Sequence, residues 1–357
     1  MKELRFAIVG CGRISVRHSD LLGSGQIKGA VLAAVADIVQ EKASRTGERF
    51  GVPWYTDMHE MCAKEAIDVV VVLTESGLHS RHVVELARHG KHIVVEKPMA
   101  LTLEDADAMI LACERAGVRL FVVKQNRFNV PVVKLREALD GGRFGKLVLG
   151  TVRVRWCRRE NYYAQDAWRG KWSLDGGVLA NQASHHVDLL SWMMGDVESV
   201  VAKASNALAD IEAEDTAVVL LRFTSGALGV IEATTAARPK DLEGSISLLG
   251  AQGTVEIAGF AVNEMRTWQF TPELPEDADI LQRSSVNPPN VYGFGHQAYY
   301  EHVVDALRCG REALVDGREG RRSLQLISAI YESVETGSEV RLADMNGSSR
   351  LGKGRGE

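Results

Sequence analysis

Two short segments of this 357-residue chain carry residues that could move a proton. Lys97 lies between Glu96 and a proline, directly after a short apolar run. Asn181, His185 and Asp188 are spaced i, i+4 and i+7, so a helix through them would place all three on one face. A histidine, with an ordinary pKa of about 6.5, is suited to accept a proton at neutral pH, whereas Asn181 cannot ionise. Both segments also have a non-catalytic interpretation: Lys97 could be a solvated surface lysine, and the second segment a capped helix with satisfied polar groups.

A glycine-rich turn near the N-terminus indicates a dinucleotide site. Gly10-x-Gly12-x-x-Ser15 joins an apolar run to a helical pattern, where glycines permit a tight turn and close approach of a pyrophosphate to the backbone. Asp37 ends the second apolar run, where a carboxylate accepts hydrogen bonds from ribose hydroxyls and disfavours a 2′-phosphate. The pattern therefore predicts NAD as the cofactor, although Ser15 stands where glycine or alanine is usual.

The first third of the chain has the pattern needed to position these residues. Five apolar runs alternate with helical stretches, at 4–9, 31–36, 68–73, 92–96 and 119–123. Runs that are apolar on both faces are typical of buried parallel strands, and their alternation with helices predicts a doubly wound sheet. We therefore expect an α/β Rossmann domain over 1–125, with the strand ends near Lys97 lining a ligand crevice.

The pattern changes after residue 125. A long helix is predicted over 176–195, followed by consecutive strands between 198 and about 265 and by two helices at 292–309 and 318–336. This order predicts an α+β domain over 126–345 with a large, open and mostly antiparallel sheet. The polar, glycine-rich segment 346–357 predicts a disordered tail.

Composition excludes several classes of function. A formal net charge of −5 gives the whole chain no electrostatic reason to bind nucleic acid or an anionic membrane. Five cysteines without a CxxC pair indicate free thiols in a reducing compartment. We find no signal peptide, no membrane-spanning run and no metal-binding motif, so we expect a cytoplasmic protein without a metal.

Together the glycine turn, Glu96-Lys97-Pro98 and the glycine-led segment with His185 closely resemble the Gfo/Idh/MocA oxidoreductase family, over nearly the whole chain. The resemblance implies an NAD-dependent dehydrogenase whose active site lies between the two domains. It also implies that the exposed face of the second sheet forms a homo-oligomer, with a tetramer favoured. The family's catalytic lysine and histidine map onto Lys97 and His185. Asn181 replaces an aspartate found in many members, which leaves His185 as the base.

Several segments resemble one subgroup, the bacterial UDP-N-acetylglucosaminuronate 3-dehydrogenases of surface-polysaccharide synthesis: 123–127, 161–163, 168–170, 181–185, 239–245 and 291–296. This implies oxidation of the C3 hydroxyl of a UDP-linked N-acetylglucosaminuronate during lipopolysaccharide O-antigen sugar synthesis. The implied cofactor-binding residues are Gly10, Gly12, Arg13, Ile14, Asp37, Thr74, Ser76, His79, Glu96, Lys97 and Gln125. The implied substrate-binding residues are Lys97, Asn126, Arg127, Tyr163, Arg169, Asn181, His185, Arg238, Lys240 and Tyr292.

Positive charge in the second domain supports an anionic substrate, because a diphosphate and a uronate favour arginine and lysine clusters. Arg169 and the loop at Arg238–Lys240 are the preferred candidates, whereas Arg153 and Arg155 could equally belong to an ordinary solvated strand. Three alternatives stay open: a dehydrogenase of another sugar or polyol (inositol, a hexose or UDP-GlcNAc), an NAD-dependent glycosidase, and a non-catalytic NAD-binding subunit.

Overall fold

The computed structural model describes residues 2–285, 288 and 293–354. The chain forms two compact units, one from 1–123 with 296–322 and the other from 124–295 with 323–357. Residues 296–322 thus return to the N-terminal unit, an excursion that the sequence did not predict. Among the described residues, every helix is too short or too polar to span a membrane.

The N-terminal unit contains a six-stranded parallel sheet. Its strands are β1 (Leu4–Val9), β2 (Ala30–Ala36), β3 (Trp54–Tyr55), β4 (Val69–Val72), β5 (His92–Val95) and β6 (Leu120–Val122), in the order β3-β2-β1-β4-β5-β6. The helices between them are α1 (Ser15–Gly23), α2 (Gln40–Phe50), α3 (Met58–Lys64), α4 (His79–Ala87) and α5 (Leu103–Arg115). The predicted Rossmann domain is confirmed; β3 was missed because two residues carry no periodicity.

The sheet order reverses beside β1, and this determines where a ligand can bind. β1 pairs with β2 on one side and with β4 on the other. The four consecutive valines of β4 are fully buried, as expected of β-branched residues in a strand covered on both faces. In an open parallel sheet, ligands bind outside the carboxyl ends of the strands at such a reversal. The glycine turn after β1 lies at this place.

The second unit contains an eight-stranded mixed sheet. Its strands are β7 (Leu147–Arg155), β8 (Val197–Ser205), β9 (Thr216–Phe223), β10 (Leu228–Thr234), β11 (Glu243–Gly250), β12 (Gly253–Ala258), β13 (Glu264–Phe270) and β14 (Val340–Arg341). The order is β13-β12-β11-β7-β10-β9-β8-β14, and every pair is antiparallel except β7 with β10. The predicted open, mostly antiparallel sheet is confirmed.

The remaining helices follow the same chain order: α6 (Val130–Asp140), α7 (Glu160–Tyr163), α8 (Ser184–Met194), α9 (Ile280–Arg283), α10 (Gly295–Cys309) and α11 (Gly317–Thr336). Helix α8 packs closely on β7 at Gly150, where an added Cβ would lie 2.7 Å from the Met194 side chain. One face of the sheet is therefore covered by the helix that carries His185.

The segment predicted as one long helix over 176–195 is interrupted. A π-helical turn spans Val178–Gln182, and α8 starts only at Ser184. The first N–H groups of the π-helical turn bind Glu214: Val178 donates to its main-chain oxygen and Leu179 to its side-chain carboxyl oxygen, both at 2.9 Å. These contacts satisfy donors at the start of the turn that regular helix leaves open.

The chain end also differs from the expected disordered tail. Leu351 is buried in the second unit, and Gly352 donates its N–H to the carbonyl of Trp172 at 2.9 Å. The prediction was based on the polar, glycine-rich composition of the segment, but its one leucine packs in the protein core and orders the chain. Residues 355–357 lie outside the described part.

Candidate functional site

The glycine turn in the N-terminal unit has the geometry of a phosphate-binding loop. Gly10 has φ +96°, and an added Cβ would lie 2.8 Å from the backbone of Leu73, so a side chain cannot be placed there. Around Gly12 the space is open, with no atom within 4 Å of an added Cβ. No side chain caps α1 at Ile14, so the N–H groups of its first turn can bind a pyrophosphate.

Asp37 is fixed beside this turn. Its Oδ2 accepts the Cys11 N–H at 2.7 Å and its Oδ1 accepts the Val39 N–H at 2.8 Å. The carboxylate is therefore anchored at the end of β2, where the ribose of a dinucleotide would lie. The turn and Asp37 together fit an NAD molecule.

Three other predicted cofactor residues lie in the segment after β4. His79 contacts the Pro98 carbonyl through Nδ1 at 2.8 Å and the Thr74 carbonyl through Nε2 at 3.0 Å. It thus connects the segment after β4 to the loop after β5. Thr74 Oγ1 contacts His82 at 2.9 Å, Ser76 is buried, and Arg13 of the glycine turn is exposed. Their contact with a cofactor stays a prediction.

A buried hydrogen-bond network through Glu96 holds the backbone of Lys97. Its N–H donates to Glu96 Oε2 at 2.9 Å, and Glu96 Oε1 contacts His18 Nε2 at 3.0 Å. His18 Nδ1 contacts the Tyr300 hydroxyl at 2.5 Å. Burial raises the pKa of Glu96, but hydrogen bonds from His18 and His296 outweigh it and hold that pKa well below the ordinary value. An ionised Glu96 therefore fixes the backbone of Lys97.

The sequence did not reveal this network. His18 and His296 both lie far from Glu96 in the chain, so no local pattern links them to it. The donor atoms of the three side chains lie within 4.8 Å of one another, a spacing that a metal ion would also allow. The 3.0 Å contact is a hydrogen bond, and burial lowers the pKa of His296 to about 4. We therefore interpret the cluster as support for Lys97.

In the second unit, His185 lies on α8 against Gln125. The amide nitrogen of Gln125 contacts Nε2 of His185 at 3.0 Å. Gln125 begins a short 3₁₀ helix, Gln125–Phe128, and its main-chain oxygen would lie 1.9 Å from a Cβ added to Gly295. Only glycine fits there, so the backbone that presents Gln125 to His185 is closely confined.

Two buried carboxamide oxygens in the short 3₁₀ helix that contacts His185 have no donor in the described part of the chain. They are Oε1 of Gln125 and Oδ1 of Asn126, and both residues are about as buried as the surrounding core. A buried acceptor without a donor is costly unless a ligand or water supplies one. These oxygens are suited to a hydroxyl or amide of a bound ligand.

Arg127, predicted to contact substrate, is buried. Its guanidinium makes a bidentate contact with Asp188 at 2.9 and 2.8 Å and lies 4.7 Å from the ring of Trp192. The structure therefore uses Arg127 to hold α8, one turn beyond His185. A direct contact of Arg127 with substrate stays a prediction.

Asn181 lies in the π-helical turn and not on α8. Its amide nitrogen donates to Asp175, and its Oδ1 accepts from Gln182 at 2.8 Å. The Gln182 amide also donates to the Tyr162 hydroxyl at 2.8 Å. Gln182 and Tyr162 are thus part of the same polar network as Asn181, although neither was predicted individually as a site residue.

The other predicted substrate residues of this unit lie in two neighbouring segments. Tyr163 contacts Thr235 at 2.9 Å through its hydroxyl, and Arg169 donates to Asp166 and Tyr162. Arg238 is exposed and binds main-chain carbonyls, and Lys240 is also exposed. Tyr292 lies outside the described residues.

Arg153 and Arg155 lie on an ordinary strand face, the alternative to substrate binding that the sequence left open. Arg155 donates to Glu232 at 2.6 Å and to Glu243 at 3.3 Å, and Arg153 lies within 4 Å of both glutamates. These are cross-strand ion pairs between β7, β10 and β11. The glutamates neutralise the two arginines. The positive charge that could bind an anionic ligand therefore lies in the loops.

Comparison with known proteins identifies the family. Residues 4–124 match the NAD-binding Rossmann fold model of the GFO_IDH_MocA oxidoreductase family, and residues 136–342 match its C-terminal alpha/beta domain. Myo-inositol 2-dehydrogenase of Thermotoga maritima is 30% identical over 351 residues, which cover 96% of this chain and 100% of that protein.

Two solved structures are more similar. The WlbA dehydrogenase of Bordetella pertussis, in complex with NADH and UDP-GlcNAcA, is 43% identical with a TM-score of 0.90, covering 95% of this chain and 98% of that one. The WlbA dehydrogenase of Chromobacterium violaceum, in complex with the same two ligands, is 40% identical with a TM-score of 0.89, covering 96% of each chain.

Proposed function

The chain belongs to the Gfo/Idh/MocA oxidoreductase family, and from this premise we propose that it oxidises the C3 hydroxyl of UDP-GlcNAcA with NAD. The cofactor part follows from the NAD-binding Rossmann domain. The substrate part draws on the similarity to the two WlbA dehydrogenases, which bind UDP-GlcNAcA.

The observation that carries the substrate assignment is a group of arginines that have no carboxylate partner. Arg159 donates to the Pro239 carbonyl at 3.2 Å, and Arg238 donates to the carbonyls of Thr235 and Ala237 at 3.0 and 2.9 Å. Neither has an acidic group within 4 Å in the described part of the chain. A diphosphate is a suitable counterion for such a loop, whereas inositol or a free hexose is not.

In the proposed reaction Lys97 hydrogen-bonds the reacting hydroxyl, and His185 removes its proton. When NAD is bound, its nicotinamide accepts the hydride from C3. Glu96 and the histidines that contact it hold the backbone of Lys97 in place. A catalytic group held in a fixed position lowers the reaction barrier. The Gln125 amide contacts Nε2 of the His185 ring, and the substrate hydroxyl takes the place of this contact when Nε2 accepts the proton. Asn181 cannot share the role of base because an amide does not ionise.

The test is NADH formation under single-turnover conditions, with enzyme and NAD in equal amounts. Four substrates separate the alternatives: UDP-GlcNAcA, UDP-GlcNAc, myo-inositol and a free hexose. We expect NADH and a 3-keto sugar from UDP-GlcNAcA. Turnover of inositol or hexose with none of UDP-GlcNAcA overturns the assignment, release of free sugar without net NADH indicates a glycosidase, and no reaction with any of them indicates a regulatory subunit.

We further propose a homo-oligomer, with a tetramer favoured, formed through the uncovered face of the second sheet. Val201, Leu220 and Val230 are cross-strand neighbours on β8, β9 and β10, and Leu220 is 57% exposed. Such an apolar band is unusual on a monomer surface. A Leu220→Glu substitution should dissociate the assembly, which light scattering measures; an unchanged mass would exclude this face.

The keto product of such a reaction needs an enzyme that aminates C3, as in surface-polysaccharide synthesis. We propose that the protein acts in the cytoplasm on lipopolysaccharide sugars. Loss of the gene should remove the 3-amino sugar from the O-antigen, which sugar analysis of purified lipopolysaccharide measures.

A further inference from the structure

Two arginines of the second unit surround the ring of Tyr162. The guanidinium carbon of Arg158 lies 5.4 Å from the ring centroid, and that of Arg169 lies 4.6 Å from it. Arg158 also stacks on Trp156 at 5.1 Å, and Arg169 stacks on Trp168 at 4.5 Å. Stacking against aromatic rings holds a guanidinium in a defined plane and reduces its mobility. The sequence marked Arg169 as a candidate but gave Arg158 no specific role.

Each guanidinium uses part of its donor set within the protein. Arg158 donates through Nε to Gln182 at 3.0 Å and through Nη1 to Asp241 at 2.9 Å. Arg169 donates through Nε to Asp166 at 2.8 Å and through Nη1 to the tyrosine hydroxyl at 2.7 Å. Nη2 of each makes no hydrogen bond within residues 2–285, 288 and 293–354 and is not among the buried atoms, so both can bind a ligand.

This pair is connected to the residues before His185. Gln182, which accepts from Arg158, donates in turn to Asn181 at 2.8 Å. The Tyr162 hydroxyl receives hydrogen bonds from both Arg169 and Gln182. The arginine pair therefore belongs to the same network as Asn181, four residues before the proposed base. We therefore expect a charge held there to lie near the sugar ring on which the proposed base acts.

We propose that Arg158 and Arg169 bind the carboxylate of the uronate ring and thereby select an acidic sugar over its neutral counterpart. The proposal rests on the proposed function. Each arginine has one carboxylate partner, Asp241 or Asp166, and keeps its Nη2 group for a ligand, so the pair can donate two hydrogen bonds to one further carboxylate. A diphosphate, with about two charges, is better matched by Arg159 and Arg238, which lack acidic partners.

The experiment compares UDP-GlcNAcA with UDP-GlcNAc, which has the diphosphate but no carboxylate. In Arg158→Gln and Arg169→Gln, kcat/KM for UDP-GlcNAcA should fall by about 10- to 100-fold each, while that for UDP-GlcNAc should change by less than about threefold. Arg143→Gln is the matched control, because Arg143 stacks on Phe270 at 4.2 Å and pairs with Asp277 in the same unit. It should affect both sugars equally.

Calorimetric binding of both sugars and of UDP alone separates this proposal from the proposed function. If the wild type does not oxidise UDP-GlcNAcA, the proposed function fails, but a binding preference for the uronate that both variants lose still supports the arginine pair. Equal losses for both sugars overturn the proposal. Weaker binding of UDP alone also overturns it and assigns the pair to the diphosphate.

Discussion

Asp188 lies three residues beyond His185 on α8 and is held by a bidentate ion pair with Arg127. Both side chains are almost completely buried. Burial opposes ionisation of Asp188, but Arg127 and Lys124 outweigh it and lower the pKa of this carboxyl. The proposed base therefore lies on a helix whose register is fixed by a buried charge pair.

Replacing one member of this pair should destabilise the protein strongly. Arg127→Leu leaves the Asp188 carboxylate buried with the more distant Lys124, at 3.9 Å, as its cationic partner, and should cost about 3–5 kcal/mol of unfolding free energy. The double variant Arg127→Leu/Asp188→Leu should recover part of that loss, because no uncompensated charge remains. Urea unfolding measures both. A single variant as stable as the wild type would contradict this role.

His185→Asn should remove the base without disturbing the cofactor. We expect kcat to fall by about 10²- to 10⁴-fold while NADH binding stays nearly intact. His186→Asn is the neighbouring control, because that ring packs on Trp156 with 5.7 Å between centroids. It should reduce thermal stability but not kcat of the folded enzyme. Near wild-type turnover in His185→Asn would show that another group accepts the proton.

Asp37 should set the preference for NAD over NADP. A fixed carboxylate at the end of β2 repels a 2′-phosphate, and placing like charges together costs several kcal/mol. Asp37→Asn keeps one acceptor oxygen, for either the Cys11 or the Val39 N–H, and removes the charge. It should lower the NAD-to-NADP ratio of kcat/KM by at least about tenfold. An unchanged ratio would mean that neighbouring residues, and not this charge, exclude the phosphate.

The parts of the site that the sequence predicted are those that local geometry requires. Gly10 must have positive φ, and Asp37 must end a strand beside the glycine turn, so both follow from spacing alone. The supports were missed because they join distant segments. Glu214 and Tyr331 are 117 residues apart, and their hydrogen bonds interrupt the helix that periodicity extends through Asn181. No local pattern encodes such a pair.

Glu214 is a buried acid that should make stability depend on pH. Its Oε1 accepts from Leu179 and from the Tyr331 hydroxyl, both at 2.9 Å, while Oε2 is buried with no hydrogen-bond partner among the described residues. Burial raises the pKa of Glu214 to about 7, and nearby Asp175 acts in the same direction. The neutral carboxyl is thus the form that suits the folded protein.

A pKa raised from its ordinary value of 4.5 to about 7 means that ionised Glu214 opposes folding. The penalty is absent below about pH 4.5, grows as pH rises to 7, and is complete above it, at about 3 kcal/mol. Relative to Glu214→Gln, which has no charge to bury, the wild type should therefore lose stability between pH 5 and pH 8.

Urea unfolding of the wild type and Glu214→Gln across this pH range measures the difference. Glu198→Gln on β8 is a control that we expect to follow the wild type. A difference between wild type and Glu214→Gln that does not change with pH would show that Glu214 stays ionised in the fold, and the π-helical turn before His185 would then be held by a charged carboxylate.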